Sequence, residues 1–269
     1  MPELAEVEVV RTVLESQLQG VKIVDVECFY LPIVEQAFEY FKSSVVNQKI
    51  VSISRLAKYL IFDLEKGHMI SHLRMEGKYF YLPEGSIIDK HIHLIFHLDN
   101  GYMLLYKDTR KFGRIMYKES GLYDSPPLSL VGVEANNPNY DIEILYKKLN
   151  SKKIPIKTAL LDQHIISGLG NIYVDEVLFA TKINPNILSF TISKDEIRDI
   201  MTSSRKILNL AIENKGTTIR SYTSSLGVLG NYQNFLMVHT KDECPICKTK
   251  LNKEKIGGRT SYFCSICQR

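Results

Sequence analysis

Four cysteines near the end of the chain constrain it most: Cys244-Pro-Ile-Cys247, a gap of sixteen residues, then Cys264-Ser-Ile-Cys267. Each pair offers two ligands from one tight turn. Two such pairs predict a single tetrahedral ion held by four thiolates, with one structural Zn²⁺ per chain as the expected occupant. The interval from Lys248 to Phe263 has the length of a hairpin that returns the second pair to the first, and Gly257 and Gly258 mark its turn. Buried free cysteines are the bland alternative. Disulfides fit poorly, because nothing in the chain points to an oxidising compartment. A segment this small cannot bury enough surface to fold without its metal. Residues 239–269 carry seven Lys or Arg against three Asp or Glu. That excess predicts a finger that presents cations to a polyanion; a purely structural ribbon is the competing reading. Cys28, the fifth cysteine, lies in the apolar run Val24–Leu31 and reads as core.

The rest of the 269 residues divides by period. Leu4, Val7, Val10, Leu14 and Leu18 recur at helical spacing, so residues 3–18 read as a helix ended by Gly20. Strands are expected at 21–30, 50–55, 58–64, 70–73, 77–82, 91–98, 102–107 and 112–117. In His91–Leu98, Ile92, Leu94, Phe96 and Leu98 alternate with His91, His93, Ile95 and His97, before an Asp99-Asn100-Gly101 turn. Prolines 126, 127 and 138 break the pattern. Helices are then expected at 141–150, 155–161, 171–181, 193–213 and 225–234. No apolar stretch reaches the roughly 20 residues of a membrane span. The acidic start lacks the basic flank of a secretory signal, so a cytoplasmic location is the expectation. The formal charge is only +4, too small to argue for a nucleic acid by itself.

Local runs carry more information. Lys147, Lys148, Lys152, Lys153 and Lys157 form a basic stretch ahead of Ile166-Ser167-Gly168-Leu169-Gly170-Asn171. A glycine turn between two helices can offer backbone N–H groups to a phosphate, with Asn171 as cap and further contact. Such turns are common in helical hairpins, and a basic run is as often a solvated linker. Asp108-Thr109-Arg110-Lys111-Phe112-Gly113 places charge and an apolar wedge at a hairpin tip, a combination able to enter a DNA stack. Hairpin packing is the plainer account there, and core packing is the plainer account of Met75 in Leu73-Arg74-Met75-Glu76-Gly77. At the start, removal of Met1 would expose the Pro2 amine. An α-amine titrates near 8, far below lysine, and can attack a sugar C1′ to give an iminium. Glu3 follows it as a proton carrier, and Glu6 lies one helical turn on. A start codon and a charged helix would look the same.

Several runs occur together in order: PELAEVE, SRLAKYL, LRMEG, DTRKFG, LLDQHIISGLGNIYVDEVLF, GTTIRSY and the cysteine finger. Together they resemble the bacterial formamidopyrimidine-DNA glycosylase (8-oxoguanine DNA glycosylase) family over essentially the whole chain. The resemblance implies an α+β protein in three parts. These are an N-terminal antiparallel β-sandwich catalytic domain with an N-terminal helix (1–130), a helical DNA-binding domain with a helix-two-turn-helix (131–238) and a C-terminal four-cysteine zinc finger (239–269). It implies Pro2 as nucleophile, Glu3 as proton donor and acceptor, and Lys58 as a catalytic and phosphate-contacting lysine. His72, Asn171 and Arg259 would complete the phosphate grip. Met75, Arg110 and Phe112 would fill the void left by a flipped nucleotide, with Arg110 facing the estranged cytosine. Glu6, Thr217, Thr218, Ser221 and Tyr222 would line the damaged-base pocket, the last four from a flexible closing loop.

The implied activity is that of a bifunctional glycosylase and AP lyase, acting as a monomer in base excision repair on duplex DNA. Its substrates would be 8-oxoguanine and formamidopyrimidines opposite cytosine. Two alternatives stand beside it: an endonuclease VIII-like enzyme for oxidised pyrimidines, and a non-catalytic zinc protein that binds damaged DNA. The chain departs from the family pattern at Ala5, where the usual start has proline, and at Val238-His239-Thr240-Lys241 before the finger.

Overall fold

The computed structural model describes residues 1–217 and 230–269. Contacts divide the chain into two compact units. The first takes in Met1–Pro2 and Glu6–Ser129; the second takes in Glu3–Ala5, Leu130–Thr217 and Asn231–Arg269.

Helix α1 (Leu4–Leu18) opens the chain, and Gly20 leaves it with φ +82°. The first unit continues through β1 (Ile23–Cys28), α2 (Phe38–Val45), β2 (Ile50–Leu56), β3 (Tyr59–Leu64), β4 (His68–His72), β5 (Lys78–Pro83), β6 (Ile92–Leu98), β7 (Tyr102–Lys107) and β8 (Arg114–Lys118). The strands make two four-stranded antiparallel sheets, ordered β1-β6-β7-β5 and β2-β3-β4-β8. Val26, Leu94, Phe96, Leu104 and Tyr106 from one sheet share a core with Ile53, Leu60, Phe62, Met69 and Ile115 from the other. The architecture is therefore a β-sandwich, with Val7, Val10, Leu14 and Leu18 of α1 and Phe41 and Val45 of α2 closing its core.

The alternation read for residues 91–98 does not run straight through β6. The ladder with β7 shifts register between Ile92 and Leu94. A bulge of this kind turns one residue onto the opposite face. Ile92 accordingly packs with Ile95, Met103 and Leu105 on the outer face, while Leu94, Phe96 and Leu98 face the core. His93 is buried there, 3% exposed.

The second unit holds β9 (Val133–Glu134), α3 (Ile142–Asn150), α4 (Ile156–Leu160), β10 (Ile166–Ser167), α5 (Asn171–Ala180), α6 (Lys194–Glu213) and the hairpin β11 (Asn252–Ile256) and β12 (Arg259–Phe263). Asp141 caps α3 by accepting from Glu143 N and Ile144 N, and Ser193 and Glu196 form a reciprocal capping box on α6. Ile197, Ile200, Met201, Ser204, Leu208 and Ala211 give α6 its buried stripe. Helix α5 is buried from Tyr173 to Phe179, its two carboxylates included. Of the helix expected at 225–234, residues 225–229 lie outside the described residues, and Tyr232–Asn234 form a short 3₁₀ turn. Among the described residues no helix is long and apolar enough to cross a membrane.

The finger hairpin turns where expected, at Gly257 (φ +54°) and Gly258 (φ +79°). Gly257 does more than turn the chain. A Cβ there would collide with the Thr158 hydroxyl of α4, so the missing side chain lets the hairpin tip seat on that helix. Gly257→Ala combines this overlap with a left-handed backbone, and should destabilise the protein by about 2 kcal/mol. Urea unfolding reads this as a lower midpoint at unchanged slope.

Candidate active site

Three backbone donors at the glycine turn before α5 are taken by Glu3. Gly170 N donates to Glu3 Oε2 at 2.6 Å, Ile172 N to Oε1 at 2.9 Å and Tyr173 N to Oε2 at 3.4 Å. A helix N-terminus favours negative charge, and bonds to a carboxylate are stronger than neutral ones. The two glycines make the approach possible. A Cβ on Gly170 would overlap the Glu3 carboxyl, and one on Gly168, at φ +96°, would overlap Leu4. Leu4 N closes the seat by donating to Gly168 O at 3.1 Å. Glu3 is thereby 2% exposed and fixed through both carboxyl oxygens. Gly170, not Asn171, occupies the cap position of α5.

Asn171 instead turns its amide to the finger: Nδ2 donates to Thr260 O at 2.8 Å. An amide nitrogen carries a second hydrogen, which this bond leaves for another acceptor. Arg259, next to Thr260 at the start of β12, is exposed. Thr260 O also accepts from Lys157 Nζ at 3.2 Å. Lys157 therefore does not belong to a solvated basic run. It is fully buried and pairs with Asp175 Oδ1 at 2.7 Å. Burial pulls its amine below the ordinary lysine value, against the attraction of Asp175. Asp175 Oδ2 meets His239 Nδ1 at 2.8 Å and accepts from Tyr262 N at 3.3 Å. Glu176 accepts from Met237 N, Val238 N and His239 N at 2.7–3.0 Å. Burial raises its carboxyl above the usual range, against those three donors. The unusual residues ahead of the finger are thus its anchor on α5.

The four cysteine sulfurs lie within 4.8 Å of one another. The Cys244–Cys267 and Cys247–Cys264 separations are 3.8 and 3.4 Å. Tetrahedral zinc at about 2.3 Å from each sulfur needs about 3.8 Å between sulfurs, so the donor set fits it. Thr249 Oγ1 lies 2.9 Å from Cys247 Sγ, placed to donate to a thiolate.

In the first unit, Pro2 and Glu6 are buried, the latter 4% exposed. Lys58, also 4% exposed, sits in the β2–β3 turn, where Ala57 takes φ +53°. Arg55 braces that turn by donating to Ala57 O and to Glu8 Oε2, both at 2.8 Å. His72, at the end of β4, accepts from Arg74 N through Nδ1 at 3.0 Å. Its Nε2 therefore carries the proton of a neutral ring. Burial first, then Arg74 and Lys58, push its pKa down to about 3. Met75 is half-buried; Arg110 and Phe112 are exposed, with Arg110 stacked 4.9 Å above the Phe112 ring. Thr217, at the end of a segment of the second unit, is buried, 4% exposed. Thr218, Ser221 and Tyr222 lie outside the described residues.

Within the units the structure thus joins Lys58 to the surroundings of His72, and Asn171 to the neighbour of Arg259. Sequence reasoning named Lys157, Asp108 and His239 only as members of runs and missed their buried roles, along with those of Asp175 and Glu176. The only local signal was an acidic pair inside an otherwise apolar helix, which demands partners.

Comparison with known proteins follows the same lines. The family model of the formamidopyrimidine-DNA glycosylase N-terminal domain matches residues 1–115, and that of the formamidopyrimidine-DNA glycosylase H2TH domain matches 131–223. A formamidopyrimidine-DNA glycosylase of Streptococcus mutans is 43% identical over 272 aligned residues, covering 100% of both chains. One from Pelotomaculum thermopropionicum is 41% identical, over 100% of this chain and 99% of that one. Among solved structures, wild-type Lactococcus lactis Fpg with an N7-benzyl-Fapy-dG containing DNA superposes with TM-score 0.92 at 37% identity, covering 100% of each chain. The same organism's Fpg with an abasic site containing DNA gives TM-score 0.93 at 38% identity over 99% of each.

The neutral His72 has a consequence for stability. Between about pH 6.5 and pH 3 the unfolded chain binds a proton there that the folded chain does not. Stability therefore falls as pH drops through that window. His72→Gln should flatten this part of the curve, which urea unfolding at pH 7.5 and pH 5 will read.

Proposed function

The chain belongs to the formamidopyrimidine-DNA glycosylase family, the DNA glycosylases of base excision repair, and from this premise we propose how its own residues do the work. Its substrate is duplex DNA holding 8-oxoguanine or a ring-opened purine opposite cytosine. It acts as a monomer in the bacterial cytoplasm, on the nucleoid. Residues 1–130 form the catalytic domain, 131–238 the helical DNA-binding domain and 239–269 the finger.

Removal of Met1 turns the Pro2 nitrogen from an amide into a secondary amine. That amine attacks C1′ of the extruded nucleotide and the damaged base leaves with a proton supplied through Glu3. The nitrogen then loses its proton and its lone pair opens the C1′–O4′ bond, with a proton passed to O4′ through Glu3, to give a C1′ iminium that makes the C2′ hydrogen acidic. Loss of that proton expels the 3′ phosphate by β-elimination, and a second elimination expels the 5′ phosphate. Lys58, His72, Asn171 and Arg259 hold the phosphates around the lesion. A neutral His72 serves there as a hydrogen-bond donor, not a countercharge. Glu6, Thr217, Thr218, Ser221 and Tyr222 receive the base; Met75, Arg110 and Phe112 occupy its place in the stack. Cys244, Cys247, Cys264 and Cys267 hold a structural Zn²⁺, which supplies only the fold of the finger.

One observation supports this reading above the rest. Glu3, joined to Pro2 by a peptide bond, is locked by three backbone donors in a seat that only glycines leave open. A charged helix start with no chemical role has no need of such a seat.

Borohydride reduction of the reaction with an 8-oxoguanine·cytosine duplex should give a covalent protein–DNA adduct. Pro2→Gly should lose it. Absence of any adduct or nicking from protein that binds the duplex would sink the enzymatic reading, and preference for a thymine glycol duplex would move the chain to the endonuclease VIII branch. Gly170→Ala should displace the Glu3 carboxylate and slow single-turnover base release by about 100-fold. An unchanged rate would separate the Glu3 seat from the chemistry.

A further inference from the structure

Two turns of the first unit carry the three residues read as void-filling. Met75 lies in the turn between β4 and β5, and Arg110 and Phe112 lie in the turn between β7 and β8. Wedging apart stacked bases costs free energy, and an exposed loop yields before the stack does unless it is held.

The second turn is held by one buried carboxylate. Asp108 has no exposed surface. Its Oδ1 accepts from Arg110 N at 2.9 Å, and its Oδ2 accepts from Phe112 N at 3.0 Å and Gly113 N at 2.8 Å. Lys111, at φ +59°, makes the left-handed step that brings those last two donors back to it. The Asp108 carbonyl is fixed in turn by His93 Nε2–H, at 2.8 Å. His93 packs against Tyr30, ring centroids 5.5 Å apart, and Lys111 Nζ lies 4.6 Å above the Tyr30 ring.

The two turns are also fastened to each other. Thr109 Oγ1 donates to Glu76 Oε2, so the residue before Arg110 is tied to the residue after Met75. Both turns close on the same hydroxyl: a Cβ at Gly77 or at Gly113 would overlap Tyr106 Oη.

We propose that Asp108 and the Thr109–Glu76 hydrogen bond are positioning elements that make the Met75 turn and the 108–113 turn a single wedge, so that all three side chains enter the DNA together. The proposal rests on the void-filling reading of those side chains, and adds the residues that hold them. Asn at position 108 has one acceptor oxygen for three donors and sets an NH₂ against the rest. Loss of a buried, charge-assisted acceptor of this kind slows the step it supports by about tenfold or more.

The test is stopped-flow fluorescence of a duplex with 2-aminopurine beside 8-oxoguanine, followed to base release. Asp108→Asn should slow the fluorescence rise and base release together by about tenfold. It should leave borohydride trapping on a single-stranded abasic oligonucleotide unchanged, because that substrate has no stack to open. Thr109→Val, at an exposed position that does not threaten folding, should slow the rise less. Combined with Glu76→Gln it should be no slower than the slower single variant. A wild-type fluorescence rise in Asp108→Asn, equal loss on the single-stranded substrate, or additive effects of the Thr109 and Glu76 changes would each overturn the proposal. Wild-type base release tests the enzymatic reading separately; the ratio of variant to wild-type fluorescence rates tests the wedge.

Discussion

The bond between the Glu3 carboxylate and the N-terminus of α5 is the constraint on which the arrangement depends. It gives the first residues of the chain a place in the second unit, whose core takes Leu4 and Ala5. It uses the backbone donors that a helix start would otherwise leave unsatisfied. It also explains both glycines of the turn, since Gly168 and Gly170 each face a residue of the N-terminus at a distance no side chain allows. Ala5, where the family start has proline, gives up some stiffness in the entry to α1. The seat compensates, because Glu3 is held from outside the helix to which it leads.

The same device recurs further along α5. Asp175 and Glu176 gather the backbone of 237–239, Tyr262 N, His239 and Lys157, and Lys157 with Asn171 gathers Thr260. A buried lysine–aspartate pair adds little net stability over a well-packed apolar pair, but it costs heavily when one partner goes. What it provides here is register. The finger shares a small apolar core of Phe179, Val238, Leu251 and two cysteines, which alone would let it slide. The polar anchor fixes which carbonyl meets Asn171, and therefore where Arg259 leaves the hairpin.

Much of this was legible in the sequence, and the losses have physical causes. The cysteine spacing and the Gly257-Gly258 turn specified the finger, because metal geometry leaves little freedom. The helix over 3–18 and most strands followed from period alone. Helix α2 was missed because eight residues give too few repeats for a period to show. Ile92 went to the wrong face because a bulge resets a two-residue period without altering composition. The Gly168–Gly170 turn was read as offering backbone N–H groups to a phosphate, and the sequence did not show that Glu3, far away in the chain, takes three of the donors there. Lys157 was counted with the surface lysines because its partner, Asp175, stands eighteen residues away.

That miscount bears on the net charge of +4, which looks too small for a protein that binds DNA. Among the described residues Glu3, Glu6, Asp108, Asp175 and Glu176 are buried, while only Lys58 and Lys157 of the lysines and arginines are. Carboxylates are suited to the inside of such a fold, since one group with two oxygens can collect three backbone donors and set the shape of a turn. A buried cation finds no such array. The acids of this chain are thus spent disproportionately on holding loops, and the solvent-facing balance is more positive than the formal sum. Net charge underestimates attraction to a polyanion wherever the architecture uses carboxylates as staples. Here the staples hold the helix start beneath Glu3, the wedge turn and the finger's anchor, three places where the sequence resembles DNA-handling machinery.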